Sequence, residues 1–390
     1  MNLKKSGFST RAIHTGEKST ENGALVAPIY QTAPFRFKDA AQGARLMTGK
    51  EKGYVYSRGL NPTTEVFEEK IADLEGGETA LAQASGMAAI SAAVLTSVKA
   101  GDHVVADEVL YGSTYDLFVD LAKFGVKVSF VDTSDPDSVD NAILPDTKLV
   151  FLETPANPTM KLTDIKAVSD IAHEKGIKVM VDNTYMTPYF QQPLSLGADV
   201  VVHSATKYLN GHGDTIGGVI VGSFGFIKAA RHMAKNIGGA LSPFNAWLIV
   251  RGMKTLSVRM DKHNSNAMEV ARFLEGHDRI ARVIYPGLAS FPQKVLAGKQ
   301  MKGNGGMIAL VLKKASDVPL FLNALKLCTL AVSLGETATL VQHPATMTHA
   351  VVPRENRLKY GIVDELVRIS VGLEDADDII SDVGNALECI

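Results

Sequence analysis

The sequence predicts an α/β protein built on a mostly parallel sheet, with a smaller α+β domain after it and an extended arm before it. Three observations indicate this. Strand-like and helical runs alternate from residue 61 onward, a long helical stretch follows, and the last third mixes strands and helices in no fixed order. Such alternation is typical of a parallel sheet that is covered by helices on both faces.

The first 60 residues are predicted to be irregular. Two prolines interrupt the apolar run GALVAPIYQTAPFRF, and turn-forming residues dominate EKGYVYSRGLNPT. A segment of this kind has no periodic apolar face from which to build a core of its own. We therefore expect residues 1–60 to form an arm that lies on a neighbouring subunit.

Residues 61–257 are predicted to form the large domain. Four apolar residues at helical spacing within TTEVFEEKIADLEGG precede a Gly-Gly stop, and the alanine-rich helix SGMAAISAAVLTSV follows. The run TDIKAVSDIAHEKG is an amphipathic helix for which Thr163 is the predicted N-cap. The predicted strands are HVVADEV, VKVSFVDT, TKLVFLET, IKVMVDNTY, ADVVVHSATK and GGVIVG.

Residues 258–390 are predicted to form the C-terminal domain. A long helical stretch over residues 243–275 connects the two domains. The strands GGMIALVLK and LVRISVGL and the final helix DADDIISDVGNALEC then follow in mixed order, which is typical of an α+β unit.

The composition excludes several classes of function. Forty Lys and Arg residues nearly balance 42 Asp and Glu residues, so no basic field favours a nucleic-acid or membrane partner. Two cysteines, Cys328 and Cys389, make neither a disulfide framework nor a zinc site, and the histidine spacing predicts no other metal site. No apolar run approaches the roughly 18 residues of a membrane span, and the start MNLKKSGFSTRAIHTG lacks the apolar core of a signal peptide. We expect a cytoplasmic protein.

Polar residues follow three of the predicted strands. Asn157 follows KLVFLE, Asp182 follows KVMV, and Ser204, Thr206 and Lys207 follow ADVVV. Open parallel sheets bind their ligands beyond these carboxyl ends. A carboxylate and a lysine placed there could bind one kind of cofactor together. The carboxylate would pair with the nitrogen of a pyridine ring, and the lysine would form an imine with an aldehyde on that ring.

A phosphate on the same ring would need backbone N–H donors and hydroxyl groups. Gly86 and Met87 open the apolar helix in ASGMAAI, where a glycine lets the backbone approach an anion closely. Ser204 and Thr206 supply hydroxyls from the strand end. Tyr111, in VLYGST, lies just past the strand HVVADEV and provides an aromatic ring to stack on the pyridine.

The chain resembles, over nearly its whole length, the cystathionine/methionine-metabolism family of pyridoxal-phosphate enzymes, which have fold type I. This resemblance implies a mostly parallel sheet of the seven-stranded type. It further implies the cofactor pyridoxal 5′-phosphate, an amino-acid substrate and a homotetramer built from two dimers, with active sites shared between chains. The motifs that carry it are YSRGLNPT, SGMAAI, LYGST, ETPANPT, VDNTY, HSATKYLNGHGD, SLGETATLVQHPATMTH and LVRISVGLED.

The resemblance assigns a role to each matching residue. Lys207 would bind the cofactor covalently and act as the catalytic base, Asp182 would pair with the ring nitrogen, and Tyr111 would be both stacking ring and general acid. Arg368 would bind the substrate carboxylate. The remaining implied contacts are Gly86, Met87, Ser204 and Thr206 to phosphate, Asn157 and Ser333 to substrate and cofactor, and Tyr56 and Arg58 to the phosphate of a neighbouring subunit.

The implied reaction is an α,γ-elimination of methionine or homocysteine to a 2-oxo acid, ammonia and a thiol. Val332 stands where cystathionine-cleaving members tend to have a glutamate, and an apolar residue suits a short thioether. Ser113 stands where methionine-cleaving members usually have a cysteine, and Lys235 and Asn236 match their Lys-Asp pair only in part. Cystathionine cleavage, γ-replacement on an acylated homoserine and a non-catalytic cofactor-binding role remain the alternatives.

Overall fold

The computed structural model describes residues 3–18, 20, 22–350 and 352–390. Within the arm, the prediction of irregular structure is wrong in two places. Helix α1 (Phe8–His14) and helix α2 (Ala40–Met47) form there, and the Asp39 carboxylate caps α2 by accepting a hydrogen bond from Gln42 N. Among the described residues between these helices, Leu25 is 93% exposed.

Residues 62–253 contain one seven-stranded sheet and the helices that cover it. One strand of this sheet, β1, was not predicted from the sequence. Its residues TALAQ are alanine-rich and include no β-branched residue after the first position. The elements are α3 (Pro62–Glu75), β1 (Thr79–Gln83), α4 (Gly86–Ser97), β2 (His103–Asp107), α5 (Gly112–Asp120), β3 (Lys127–Val131), α6 (Pro136–Ala142), β4 (Thr147–Glu153), α7 (Ile165–Glu174), β5 (Lys178–Asp182), α8 (Thr187–Phe190), β6 (Val200–Ser204), β7 (Gly218–Gly222), α9 (Phe224–Ile237) and α10 (Pro243–Met253).

The sheet is mostly parallel, as predicted. Its strand order is β1-β7-β6-β5-β4-β2-β3, and only β7 runs antiparallel to its neighbours β1 and β6. Alternate residues of β6 face opposite layers: Val201 packs in the core that contains α3, and Val200 and Val202 pack in the core that contains α4. The parallel strands β4, β5 and β6 end side by side, so that Glu153, Asp182 and Ser204 lie at one edge of the sheet.

The predicted smaller α+β part of the fold is confirmed in the residues that follow. Its five-stranded sheet has the order β10-β11-β12-β9-β8 and is antiparallel except between β10 and β11. The elements are α11 (Leu256–Glu275), β8 (Ile280–Ile284), α12 (Lys294–Gln300), β9 (Met307–Leu312), α13 (Val318–Ala324), β10 (Thr329–Leu330), β11 (Leu340–Gln342), α14 (Arg354–Lys359), β12 (Leu366–Ser370) and α15 (Ala376–Leu387).

Two local predictions need correction. The N-cap of α7 is Asp164, whose carboxylate accepts from Ala167 N at 3.0 Å, whereas the hydroxyl of the predicted cap, Thr163, is bonded to Thr133. The long helical stretch is two helices that are interrupted at residues 254–255. None of the described helices combines the length and apolar character that crossing a bilayer requires. Short 3-10 helices span Leu3–Lys5, Leu121–Phe124, Pro193–Leu196, Ala315–Asp317 and Pro344–Thr346.

Candidate active site

A cavity of about 460 Å³ opens at the carboxyl ends of β4, β5 and β6 in the seven-stranded sheet. It is also lined by Arg368, which lies on β12 of the five-stranded sheet. It brings together eleven of the fourteen residues that the sequence singled out. These are Gly86, Met87, Tyr111, Asn157, Asp182, Ser204, Thr206, Lys207, Val332, Ser333 and Arg368.

Three predicted residues do not line this cavity. Tyr56 and Arg58 lie in the arm, exposed, and line a separate cavity of about 350 Å³. Ser113 is exposed in the first turn of α5, two residues beyond Tyr111. Their predicted contacts with the site stay predictions.

Lys207 lies in the tight turn that follows β6. Its N–H donates to Ser204 O at 3.2 Å, and its Nζ donates to Ser333 Oγ at 2.7 Å. Burial and, to a smaller extent, the positive charge of Arg368 lower the pKa of the Lys207 ammonium to about 8, and the charge of Glu336 opposes this shift. Near neutral pH this lysine therefore needs little free energy to become a neutral amine, the form that attacks a carbonyl.

Asp182 is the last residue of β5 and is buried. It accepts hydrogen bonds from Thr184 N at 2.9 Å and from Thr184 Oγ1 at 2.5 Å. Burial raises the pKa of Asp182, and the hydrogen bonds from Thr184 oppose that shift. Thr184 Oγ1 also accepts from Ser204 N at 2.9 Å, so one side chain ties the ends of β5 and β6 together.

A second buried carboxyl group, Glu153, lines the same cavity and was not among the predicted residues. It ends β4 directly beside Asp182 in the sheet register. Burial and then the charge of Asp182 raise the pKa of Glu153 well above its usual value. The signal was available in the sequence, because Glu153 ends its strand run TKLVFLE just as Asp182 ends its own.

The start of α4 offers an anion site against the end of β6. Ser85 Oγ caps this helix by accepting from Ala88 N at 3.0 Å, and the N–H groups of Gly86 and Met87 have no partner within the helix. A Cβ on Gly86 would lie 2.8 Å from Ser204 Cβ. Only glycine therefore allows this close approach of helix and strand, which leaves backbone donors and the Ser204 hydroxyl side by side.

Arg368 lies on β12 and reaches the cavity from the second sheet. Its Nη1 donates to Asn157 Oδ1 at 2.9 Å and its Nη2 to Ser333 O at 2.5 Å, while its buried Nε has no partner among the described residues. The backbone φ of Ser333 is 109°, a conformation that costs free energy for residues other than glycine. The contacts of Ser333 with Lys207 and Arg368 hold it there.

The mouth of the cavity is apolar. Val332 and Ile216 are more than half exposed, Tyr111 presents a ring that is 43% exposed, and Leu334 lies behind them. The carboxylates among the lining residues, Glu153 and Asp182, both lie buried at the strand ends, away from this mouth. The outer part of the site therefore favours a short uncharged group.

These side chains fit pyridoxal 5′-phosphate. The cradle around Gly86 matches a phosphate, the buried carboxylate of Asp182 matches a pyridinium nitrogen, and Lys207, close to a neutral amine, matches an aldehyde. Because Nε of Arg368 is unpartnered, the guanidinium keeps donors for a further anion, such as the carboxylate of an amino acid.

Comparison with known proteins agrees with this geometry. The chain is 54% identical to the L-methionine γ-lyase of Porphyromonas gingivalis over 393 aligned residues, covering all of this chain and 98% of the relative. It is 45% identical to the cystathionine γ-lyase of Bacillus subtilis, with both chains fully covered. The crystal structure of metB from Corynebacterium glutamicum superposes with a TM-score of 0.93 at 39% identity, covering all of this chain and 99% of that one.

The family model described as "Cys/Met metabolism PLP-dependent enzyme" matches residues 9–388, which is almost the entire chain. The relatives are about half identical to this chain over their full length, and a solved structure has the same fold. The chain belongs to the family of Cys/Met metabolism PLP-dependent enzymes.

Proposed function

We propose that the protein catalyses the α,γ-elimination of L-methionine, with water, to 2-oxobutyrate, ammonia and methanethiol, and that it also accepts homocysteine. The observation that carries this proposal is the apolar mouth at Val332 and Ile216, which lies in one cavity with the free guanidinium donor of Arg368 and the amine of Lys207. A short thioether suits that mouth. The identity of 54% to a methionine γ-lyase supports the same reaction.

Binding of the amino acid would depend on Arg368. Its guanidinium fork pairs with a carboxylate, and its contacts with Asn157 Oδ1 and Ser333 O fix the plane of the fork before substrate arrives. With the carboxylate held there, the thioether side chain would extend toward the apolar mouth. The positions of Asn157 and Ser333 in the cavity support their proposed roles in holding substrate and cofactor.

Pyridoxal phosphate supplies an aldehyde that condenses with amines and a ring that withdraws the electrons released at Cα. Gly86, Met87, Ser204 and Thr206 would hold its phosphate. Asp182 would keep the ring nitrogen protonated, because a buried carboxylate is stabilised by an adjacent cation.

Two residues would move protons. Lys207 Nζ, with its lowered pKa, would take the proton from Cα and, once it has released that proton, would take one from Cβ, where the electron pair left behind expels the sulfur from Cγ. Tyr111 lines the cavity next to the apolar mouth, where its hydroxyl would protonate the departing sulfur. Ser333 Oγ, which accepts a hydrogen bond from Lys207 Nζ, would orient that amine between the two carbon atoms.

Incubation of the purified enzyme with methionine alone tests the proposed reaction. We expect 2-oxobutyrate and methanethiol in equal amounts, with no added acceptor, since elimination needs no second nucleophile. Homocysteine should be cleaved in the same way, and cystathionine more slowly, because its distal ammonium finds no carboxylate among the residues at the mouth.

The relatives define the outcomes that would contradict this proposal. Preferred cleavage of cystathionine would place the activity with that of the Bacillus subtilis relative. An acylated homoserine that reacts with a thiol to give a new sulfur amino acid and the free carboxylic acid, without release of a 2-oxo acid, would mean γ-replacement. Cofactor binding with neither 2-oxo acid release nor such a replacement would indicate a non-catalytic role.

We also propose that the active sites are shared between two chains of a cytoplasmic homotetramer. The arm exposes a series of apolar side chains, among them Leu25, Val26 and Tyr30, which a neighbouring subunit would cover. Tyr56 and Arg58 lie exposed on the same arm and outside the cavity of their own chain. They are therefore free to reach the phosphate of the neighbour's cofactor.

Mixing two inactive variants tests this sharing. Arg58→Ala and Lys207→Ala should each abolish most activity in homogeneous preparations. When the two are co-expressed, half of the dimers are hybrids and each hybrid regains one native site, so about a quarter of the native activity should return. A mixture no more active than its components would show that each chain builds its site alone.

A further inference from the structure

The carboxyl group of Glu153 connects two walls of the active-site cavity. Its Oε2 accepts from Tyr111 N at 2.8 Å, and the backbone N–H of Asn157 favours the ionised form of the same carboxyl group. Tyr111 is the N-cap residue of α5, and its own side chain makes no capping hydrogen bond. Asn157 lies in the loop after β4. One buried side chain thus holds the backbone of both residues.

Each of these two residues leads on to a group of the proposed reaction. Tyr111 carries the ring and hydroxyl that would stack on the cofactor and protonate the leaving sulfur. Asn157 Oδ1 accepts from Arg368 Nη1 at 2.9 Å and so orients the guanidinium that would bind the substrate carboxylate. The position of Glu153 therefore influences both ends of the substrate at once.

Stability of the fold alone does not favour a carboxyl group at this position. Glu153 is 6% exposed and lies directly opposite Asp182 in the sheet, so its ionisation is opposed by burial and by a like charge. A buried carboxyl group beside another one is costly for a protein, and such groups are concentrated at functional sites.

We propose that Glu153 is a positioning residue that fixes the separation between the Tyr111 ring and the Arg368 guanidinium through its hydrogen bond to Tyr111 N and its attraction for the backbone N–H of Asn157. The proposal rests on the proposed function, which gives Tyr111 and Arg368 their roles. It predicts that loss of Glu153 affects leaving-group departure and carboxylate binding together, although Glu153 itself need not touch the substrate.

The variants Glu153→Gln and Glu153→Asp test this role. Glutamine keeps the shape but has one carbonyl oxygen for two N–H donors, and aspartate keeps the carboxyl group but is one methylene too short to reach both. We expect each to lower kcat/KM by about tenfold, with a higher KM and a lower kcat. We also expect weaker binding of norleucine, which has methionine's length but no γ leaving group, and a changed visible circular dichroism of the bound cofactor.

A double-variant cycle separates positioning from a general loss of stability. If Glu153 acts on leaving-group departure through Tyr111, then adding Glu153→Gln to Tyr111→Phe should lower kcat by no more than about twofold further. Multiplicative effects would overturn the proposal. So would a Glu153→Gln variant that lowers only the thermal midpoint while KM, kcat, norleucine affinity and dichroism stay native.

Asp382 provides the matched control. Its carboxylate accepts the backbone N–H groups of residues 326, 327 and 328 at 2.8–3.0 Å, in the C-terminal part of the chain and outside the cavity. Asp382→Asn should lower stability without changing the cofactor dichroism. The dichroism does not depend on which substrate is cleaved, so the role of Glu153 can be judged even if methionine proves to be the wrong substrate.

Discussion

Replacement of Lys207 by alanine is expected to abolish covalent retention of the cofactor and to lower kcat for methionine by about 10³-fold or more. The variant loses both the amine that binds the aldehyde and the base that takes protons from Cα and Cβ. The first effect is measured by whether the visible absorbance of the cofactor survives dialysis. The second is measured by 2-oxobutyrate release at saturating cofactor.

Lys207→Arg controls for the loss of positive charge in the cavity. An arginine keeps the cation near Ser333 but does not supply a neutral amine at working pH. We expect it to be as inactive as the alanine variant. Native turnover in either variant would show that another group carries the proton transfers.

Replacement of Arg368 by lysine is expected to lower kcat/KM for methionine by roughly 100-fold, equivalent to about 3 kcal/mol. The charge is kept, but the planar fork that would pair with the carboxylate is lost, and Asn157 Oδ1 and Ser333 O lose a donor. Most of the effect should appear in KM, because the carboxylate is bound equally in the ground state and the transition state.

An amine without a carboxyl group controls for indirect damage to the site. 3-(Methylthio)propylamine has the thioether and the amine of methionine but nothing for Arg368 to bind. Its inhibition constant should be similar in the native enzyme and in Arg368→Lys. If the affinities for methionine and for this amine fall in parallel, Arg368 acts on the structure of the cavity and does not bind the carboxylate.

The residues at the strand ends could be predicted from the sequence because their signal is local. Each of β4, β5 and β6 is a short β-branched or apolar run that ends in a polar residue, and parallel strands place such ends together. Glu153 follows the same rule as Asp182. The predicted strand KLVFLE already includes Glu153, so the prediction names only the polar residue that comes after the strand.

Other features depend on contacts that no sequence window contains. Arg368 and Asn157 are 211 positions apart, and their hydrogen bond forms only when the second sheet packs against the strand ends of the first. The positive φ of Ser333 is imposed by partners from two other elements. Helix α1 has only seven residues, which is too short for a helical apolar period to be recognised in the sequence. Packing against α3 and α11 stabilises it.

A lowered pKa alone would not have identified the cofactor lysine. Burial also lowers the pKa of Lys70 to about 8, yet Lys70 Nζ donates to Ala12 O and Ile13 O and lies outside the cavity. Lys207 differs because its amine faces Ser333 in the cavity that also holds Asp182. The neighbours of the amine, and not its acidity, distinguish the two lysines.

The most direct test of the account is to find which lysine carries the cofactor. Borohydride reduction of the holoenzyme makes the attachment permanent, and digestion with mass spectrometry then locates the added mass. We predict one modified peptide, with the phosphopyridoxyl group on Lys207. Modification of Lys70 or of any other lysine, with Lys207 unmodified, would contradict it.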